Sequence, residues 1–215
     1  MRLASTRFLD PFVRFVVKPG TRWPLGSDIV GAMLVRLTPH PDFPCAAVHQ
    51  IEVTVARPSP TSLALAYRAA GRIGDIALAP PAAPLFTDGL WRTTCFEAFL
   101  MPEGGEGYLE LNFAPSSEWA AYAFSGYRDG MAPLELATPR IEARRSDHAF
   151  ELDVTLDVAG LLPPGPCRLA LAAVIEETSG AKSYWALAHP DGRPDFHHAA
   201  GFAALLPASL DPDPR

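Results

Sequence analysis

Seven residues constrain this chain more than any others: Tyr108-Leu109-Glu110-Leu111-Asn112-Phe113-Ala114 alternates between polar and apolar positions up to its last residue. A period of two places Leu109, Leu111 and Phe113 on one side of an extended strand, with Tyr108, Glu110 and Asn112 on the other. Upstream, Thr94–Met101 is rich in β-formers, and Pro102-Glu103-Gly104-Gly105-Glu106-Gly107 has the composition of a turn. Together they predict a hairpin. With Met101 opposite Tyr108, Phe96, Ala98 and Leu100 meet Phe113, Leu111 and Leu109. Cys95, Glu97 and Phe99 then meet Ala114, Asn112 and Glu110. A slip of one residue would mix polar and apolar side chains on both faces, so this register is the expected one. It gives the hairpin a dry face and a face bearing Glu97, Glu110, Asn112 and Tyr108.

Further short strands follow from the same reasoning. Val48–Arg57 and Ser62–Ala69 alternate around the connection Arg57-Pro58-Ser59-Pro60-Thr61, and Ile73–Leu78 predicts a short strand. Trp119–Gly126 sets Tyr122 and Phe124 against Trp119, Ala121 and Ala123. Phe150–Val158 alternates cleanly, Arg168–Glu176 is apolar throughout as in a strand buried on both faces, and Lys182–Ala188 pairs back through Glu177-Thr178-Ser179-Gly180. Many short strands, 23 prolines, 16 glycines and no long amphipathic helix predict an all-β antiparallel β-sandwich of jelly-roll or immunoglobulin-like type. Its pattern begins at Met33. Residues 1–32 are expected to be a disordered N-terminal extension, with an edge strand at Phe12–Val17 as the alternative. Residues 33–207 form the sandwich and 208–215 a polar tail.

Three strings, LWRTTCFEAFL, YLELNFAPSSEWAAYAFSGYRDGM and SYWALAHPDGRPDFHH, resemble the DOMON-like proteins related to family 9 carbohydrate-binding modules. The resemblance runs from about Val35 to Leu206. It implies a β-sandwich that binds sugars or, in other branches, haem.

Composition narrows the partners. A net charge of −6 without a basic cluster argues against nucleic acid and anionic membrane. Cys45, Cys95 and Cys167 show no CxxC spacing and read as free thiols of a reducing compartment. Met1–Trp23 is interrupted by Arg2, Arg7, Asp10, Arg14, Lys18 and Arg22, so no secretory leader is expected and the location expected is cytoplasmic. No G-x-S-x-G elbow, Walker loop, H-E-x-x-H or dinucleotide fingerprint occurs, and no enzyme is expected.

The polar hairpin face therefore carries the functional expectation: non-catalytic binding of a small ligand, with a saccharide the best match. Glu97 and Glu110 repel each other unless a cation lies near, with Arg92, Arg128 or a bound calcium as the candidates. Tyr108 and Asn112 add a phenol and an amide. Trp91 or Trp185 would supply a ring on which a sugar stacks, and His197 the rim. Asp191, Asp195 and His197 in HPDGRPDFHH are weak metal candidates, because their spacing fits no defined zinc pattern. Other readings stay open: a haem-binding or redox module using Met131 with His189 or His197, an intracellular enzyme, or a protein-interaction domain. A salt-bridged, solvated sheet face is the plain structural alternative.

Overall fold

The computed structural model describes residues 32–208 together with the strand Val13–Phe15. In chain order its strands are β1 (Val13–Phe15), β2 (Met33–Pro39), β3 (Val48–Ser59), β4 (Ser62–Gly71), β5 (Cys95–Pro102), β6 (Tyr108–Phe113) and β7 (Trp119–Phe124). There follow β8 (Ala132–Pro133), β9 (Arg140–Arg145), β10 (Ala149–Asp157), β11 (Cys167–Glu176), β12 (Lys182–Ala186) and β13 (Ala204–Leu206). All pairings between them are antiparallel, and the lateral order is β8-β7-β6-β5-β11-β12-β2-β3-β4-β10-β9. β1 adds to β2, and β13 pairs with β11 beyond the end of β12.

This single ladder curls into two layers. β2 pairs with β3 along Met33–Leu37, but its last residues, Thr38 and Pro39, pair with β12. One strand thus hydrogen-bonds in both layers, β3-β4-β10-β9 on one side and β12-β11-β5-β6-β7-β8 on the other. Aromatic side chains tie the layers together. Phe96 of β5 stacks on Phe150 of β10 at 5.7 Å, and Tyr67 of β4 lies 5.1 Å from Phe96. The Tyr67 hydroxyl crosses the interior to donate to the Glu97 carbonyl at 2.8 Å. This is the β-sandwich the sequence predicts.

The hairpin register is the expected one: Phe96 pairs with Phe113, Glu97 with Asn112, Ala98 with Leu111 and Phe99 with Glu110. Phe96, Ala98, Leu100, Leu111 and Phe113 enter the main core beside Leu65, Leu152 and Val154. Local details differ. Ile73–Asp75 is a 3-10 turn, and only Ile76 bridges to Glu177, so Ile73–Leu78 is no strand. The strand β9, RIEARR, has only Ile141 and Ala143 for an apolar face and gave no sequence signal; β10 holds it, with Ile141 against the core and Arg144 paired to Asp153 and, at 3.4 Å, to Glu151. Within the expected extension, Val13–Phe15 pairs with Met33–Val35, as the edge-strand alternative has it. The other residues of 1–31 lie outside the described residues, and so does the tail from residue 209.

Candidate functional site

The outer face of the layer holding the hairpin is covered, not wet. The parity that sends Phe96 and Leu111 into the core sends Cys95, Glu97, Phe99, Tyr108, Glu110 and Asn112 to the opposite side. There a second apolar cluster forms from Leu90, Phe99, Tyr108, Tyr122, Phe124 and Phe202. Three loop segments close over it: the turn at Leu90–Arg92, the loop after β7, and the stretch from Leu187 to Phe202. Glu97 is 2% exposed and Glu110 4%, which rules out a solvated sheet face.

Under those loops lies a cavity of about 330 Å³. Glu97 (β5), Glu110 (β6), Val174 (β11) and Tyr184 (β12) form its floor. Phe124 stands at the end of β7, and Trp91 comes from the Leu90–Arg92 turn. Arg128 and Met131 come from the next loop, and Pro194, Phe196 and His197 from the last. Gly89 opens the Trp91 turn at φ 78°, a left-handed conformation suited to glycine.

Two carboxylates on one dry floor set the electrostatics. They are diagonal neighbours, since Glu97 faces Asn112 and Glu110 is two residues away. Burial, followed by the charge of Glu110, pushes the Glu97 carboxyl well above its ordinary range. Burial also raises Glu110, but the Asn112 amide and Arg128 oppose it. Asn112 donates from Nδ2 to Glu110 Oε1 at 2.7 Å, while Glu97 Oε1 is buried with no hydrogen-bond partner. Glu97 therefore holds the proton of the pair, and Glu110 is the carboxylate that the protein solvates.

His197 is wired into the same floor. The Tyr108 hydroxyl lies 2.8 Å from His197 Nδ1 and accepts from the Arg128 backbone N–H at 3.2 Å. Both contacts are satisfied when Tyr108 donates to Nδ1, which leaves the His197 proton on Nε2, 3.8 Å from Glu110 Oε2. Burial, with Arg128 nearby, pushes His197 down to about 4, so the ring is neutral near pH 7 and the approach to Glu110 is not an ion pair. Arg128, at φ 53°, pairs with Asp195 at 2.7 Å. Asp195 also accepts from the Tyr127 hydroxyl at 2.5 Å and the His197 backbone N–H at 3.1 Å. Burial works against the charge on Asp195, but Tyr127 and Arg128 outweigh it and hold this carboxyl below its ordinary range.

Of the residues singled out by sequence, Trp91, Glu97, Glu110, Arg128 and His197 line the cavity. Tyr108 and Asn112 stand behind it, positioning His197 and Glu110. Two expectations need correction. Trp185 is 2% exposed inside the sandwich core, its Nε1 donating to Ser183 Oγ at 3.0 Å, because the other parity of β12 faces out. Arg92 is exposed and does not line the cavity; its backbone carbonyl accepts from Lys182 Nζ. The metal candidates separate as well. Asp191 is exposed, Asp195 is consumed by Arg128 and Tyr127, and the described residues contain no cluster of three or more His, Cys, Asp or Glu placed to hold an ion. Met131 and His197 share the cavity wall, whereas His189 bonds the Thr38 carbonyl at 2.9 Å and packs edge-on against His40.

Sequence reasoning missed Tyr184, Phe124 and Phe196. Phe124 was legible as the face partner of Tyr122. The parity of Tyr184 was not, since β11 beside it is apolar on both sides. Among the described residues no helix is long and apolar enough to cross a membrane.

No family model matches the chain, and no curated protein does. Among solved structures it is similar to a "putative carbohydrate-binding protein" from Bacteroides uniformis, at 14% identity and a TM-score of 0.61, over 81% of this chain and 85% of that one. This likeness supports the sandwich architecture. Two structures of a family 9 carbohydrate-binding module from Caldicellulosiruptor kristjanssonii also match. The complex with glucose has 7% identity and a TM-score of 0.47, over 77% of this chain and 81% of that one. The complex with cellotriose has 6% identity and a TM-score of 0.48, over 80% and 85%.

Proposed function

We propose that residues 33–207 are a non-catalytic binding domain whose ligand, a small saccharide, occupies the cavity on the outer face of the hairpin layer. The observation that carries this reading is Glu97. Its carboxyl is buried, one oxygen has no partner, and it opens onto a cavity walled by Trp91, Phe124, Tyr184 and Phe196. A buried acceptor without a donor is costly unless something completes it, and a sugar hydroxyl is a compact donor carried on a ring that stacks on aromatic side chains. The volume stands at the small end of the roughly 300–1,000 Å³ typical of small-molecule sites, which suits one or two sugar rings better than a long chain.

Glycoside hydrolysis is not favoured, although a protonated and an ionised carboxyl stand side by side. That reaction needs carboxyls flanking the scissile bond. Glu97 and Glu110 project from adjacent strands of a single floor and approach a ligand from the same side. The affinity to DOMON-like proteins rests on the sequence strings, and the cytoplasmic location rests on free Cys45, Cys95 and Cys167.

The test is a thermal-shift and calorimetric screen against mono- and oligosaccharides, with glucose and cellotriose, the sugars of the two module complexes, as first probes. A saccharide should raise the melting temperature by mass action, and Glu97→Gln should weaken it. A saccharide bound equally by the parent, Glu97→Gln and Asn112→Ala would place the site elsewhere. Release of sugar from nitrophenyl glycosides would make the protein an enzyme. A Soret band in the purified protein would favour the Met131–His197 haem reading.

A further inference from the structure

We infer that the ligand of this cavity carries a primary ammonium group, as an amino sugar does, which is set on the Glu97–Glu110 floor. This rests on the saccharide reading above and narrows it.

The charges around the cavity do not balance. Glu97 and Glu110 form the floor, and the cation that lines it, Arg128, is already held by Asp195 at 2.7 Å. His197, buried with its Nδ1 facing Tyr108, contributes no charge near pH 7. Arg128 offsets part of the charge on Glu110, yet with Asp195 already on it the two carboxyls facing the ligand outnumber the cation that lines the cavity. The free chain relieves this by keeping Glu97 protonated, as burial and the charge of Glu110 favour.

A neutral hydroxyl could donate to the orphaned Glu97 Oε1, but it would leave two carboxyls crowded on one dry floor. An ammonium group supplies donors and charge together. It offers three N–H bonds, lets both carboxylates ionise, and gains from charge-assisted bonding in a water-poor site. The walls agree with this, since Trp91, Tyr184, Phe124 and Phe196 present rings that tolerate or attract a cation. A quaternary ammonium would fit the rings but has no N–H for Glu97 Oε1. Calcium would need six to eight oxygen ligands, and the described residues bring no cluster of even three His, Cys, Asp or Glu to one point.

The experiment is calorimetry on the full chain at ~pH 6.5, below the ordinary range of a free amino group, with glucosamine, glucose, N-acetylglucosamine and calcium chloride as probes. N-acetylglucosamine keeps the nitrogen and its N–H but loses the charge. Glucosamine should bind about tenfold or more tightly than either neutral sugar, the scale of a hydrogen bond to a charged group. Glu97→Gln, which removes the charge and keeps the shape, should weaken every saccharide and cut the ratio of glucosamine to glucose affinity about tenfold, to near one. Its melting temperature reports whether the fold persists, and Glu110→Gln provides a second variant at the same floor. Glucose or N-acetylglucosamine binding as tightly as glucosamine overturns the ammonium inference and leaves the saccharide site standing. Binding of no saccharide overturns both. Stabilisation by calcium alone overturns the ammonium inference in favour of a metal site.

Discussion

Phe96 is where the two layers of the sandwich can be weighed. It is fully buried, stacks on Phe150 at 5.7 Å with the rings 15° apart, and lies 5.1 Å from Tyr67; both partners belong to the opposite layer. Phe96→Ala removes the ring and leaves a cavity between sheets that are hydrogen-bonded through their ladders and cannot easily close on it. Truncations of this kind cost about 3–5 kcal/mol. The two lost ring pairs, at ~0.5–1.5 kcal/mol each, put this one near the upper end. Against the roughly 5–15 kcal/mol of an ordinary domain, such a variant is marginal. Phe96→Leu keeps most of the volume and forfeits chiefly the ring pairs, so it should lose about 1–3 kcal/mol and remain measurable. Urea unfolding followed by tryptophan fluorescence reads both, with an unchanged slope showing that the folded and unfolded states are the same. A Phe96→Ala loss below about 1 kcal/mol at constant slope would refute this account of how the layers are joined.

Other expectations centre on the cavity floor. Folded Glu97 keeps its proton where an unfolded glutamate gives it up above its ordinary 4.5, so the folded chain binds more protons there and this group's contribution falls as pH rises. Glu97→Gln should therefore be more stable than the parent near pH 7, with the advantage shrinking towards pH 4 in thermal melts. His197 works in the opposite sense. Its folded value near 4 lies below its ordinary 6.5, so it contributes stability above 6.5 that is lost as pH falls towards 4, and its imidazole NMR signals should titrate with a midpoint well below 6. Asn112→Ala strips the amide from Glu110 and should cost about 1–3 kcal/mol, read by the same urea assay, because it leaves a buried carboxyl without its donor.

How far the sequence spoke depended on whether a strand has two unlike faces. β6 does, so the register of Glu97 against Asn112 and Phe99 against Glu110 follows from parity alone, and with it the pairing of two carboxyls on one floor. β11 does not: Arg168–Glu176 is apolar on both sides, and nothing local tells β12 whether Tyr184 or Trp185 turns outward. Hence Trp185 was expected at the ligand and lies in the core. Burial of the carboxylate face was illegible for a different reason. The cover comes from Trp91, Arg128 and Phe196, which lie on three separate segments without regular periodicity, and alternation within a hairpin says nothing about what long loops later place over it. Arg92 shows the same limit, since one turn of 3-10 helix sends Trp91 to the cavity and its neighbour to solvent.

Because β2 joins the two layers, the main path of the curled ladder, leaving aside the three-residue strands β1 and β13 that lie off it, ends at two margins, β8 and β9. Neither invites a neighbour. β8 is only Ala132–Pro133, and proline has no N–H to offer a docking strand. β9 presents Arg140, Arg144 and Arg145 to solvent, and although Arg140 pairs with Glu142 and Arg144 with Glu151 and Asp153, a second copy laid antiparallel along it would set like charges opposite one another. Sheet growth at these two margins is thus opposed at one by missing donors and at the other by charge. A concentrated solution of this β-rich chain should stay dispersed at low ionic strength, and added salt, by screening the arginines, should loosen only the second of the two guards.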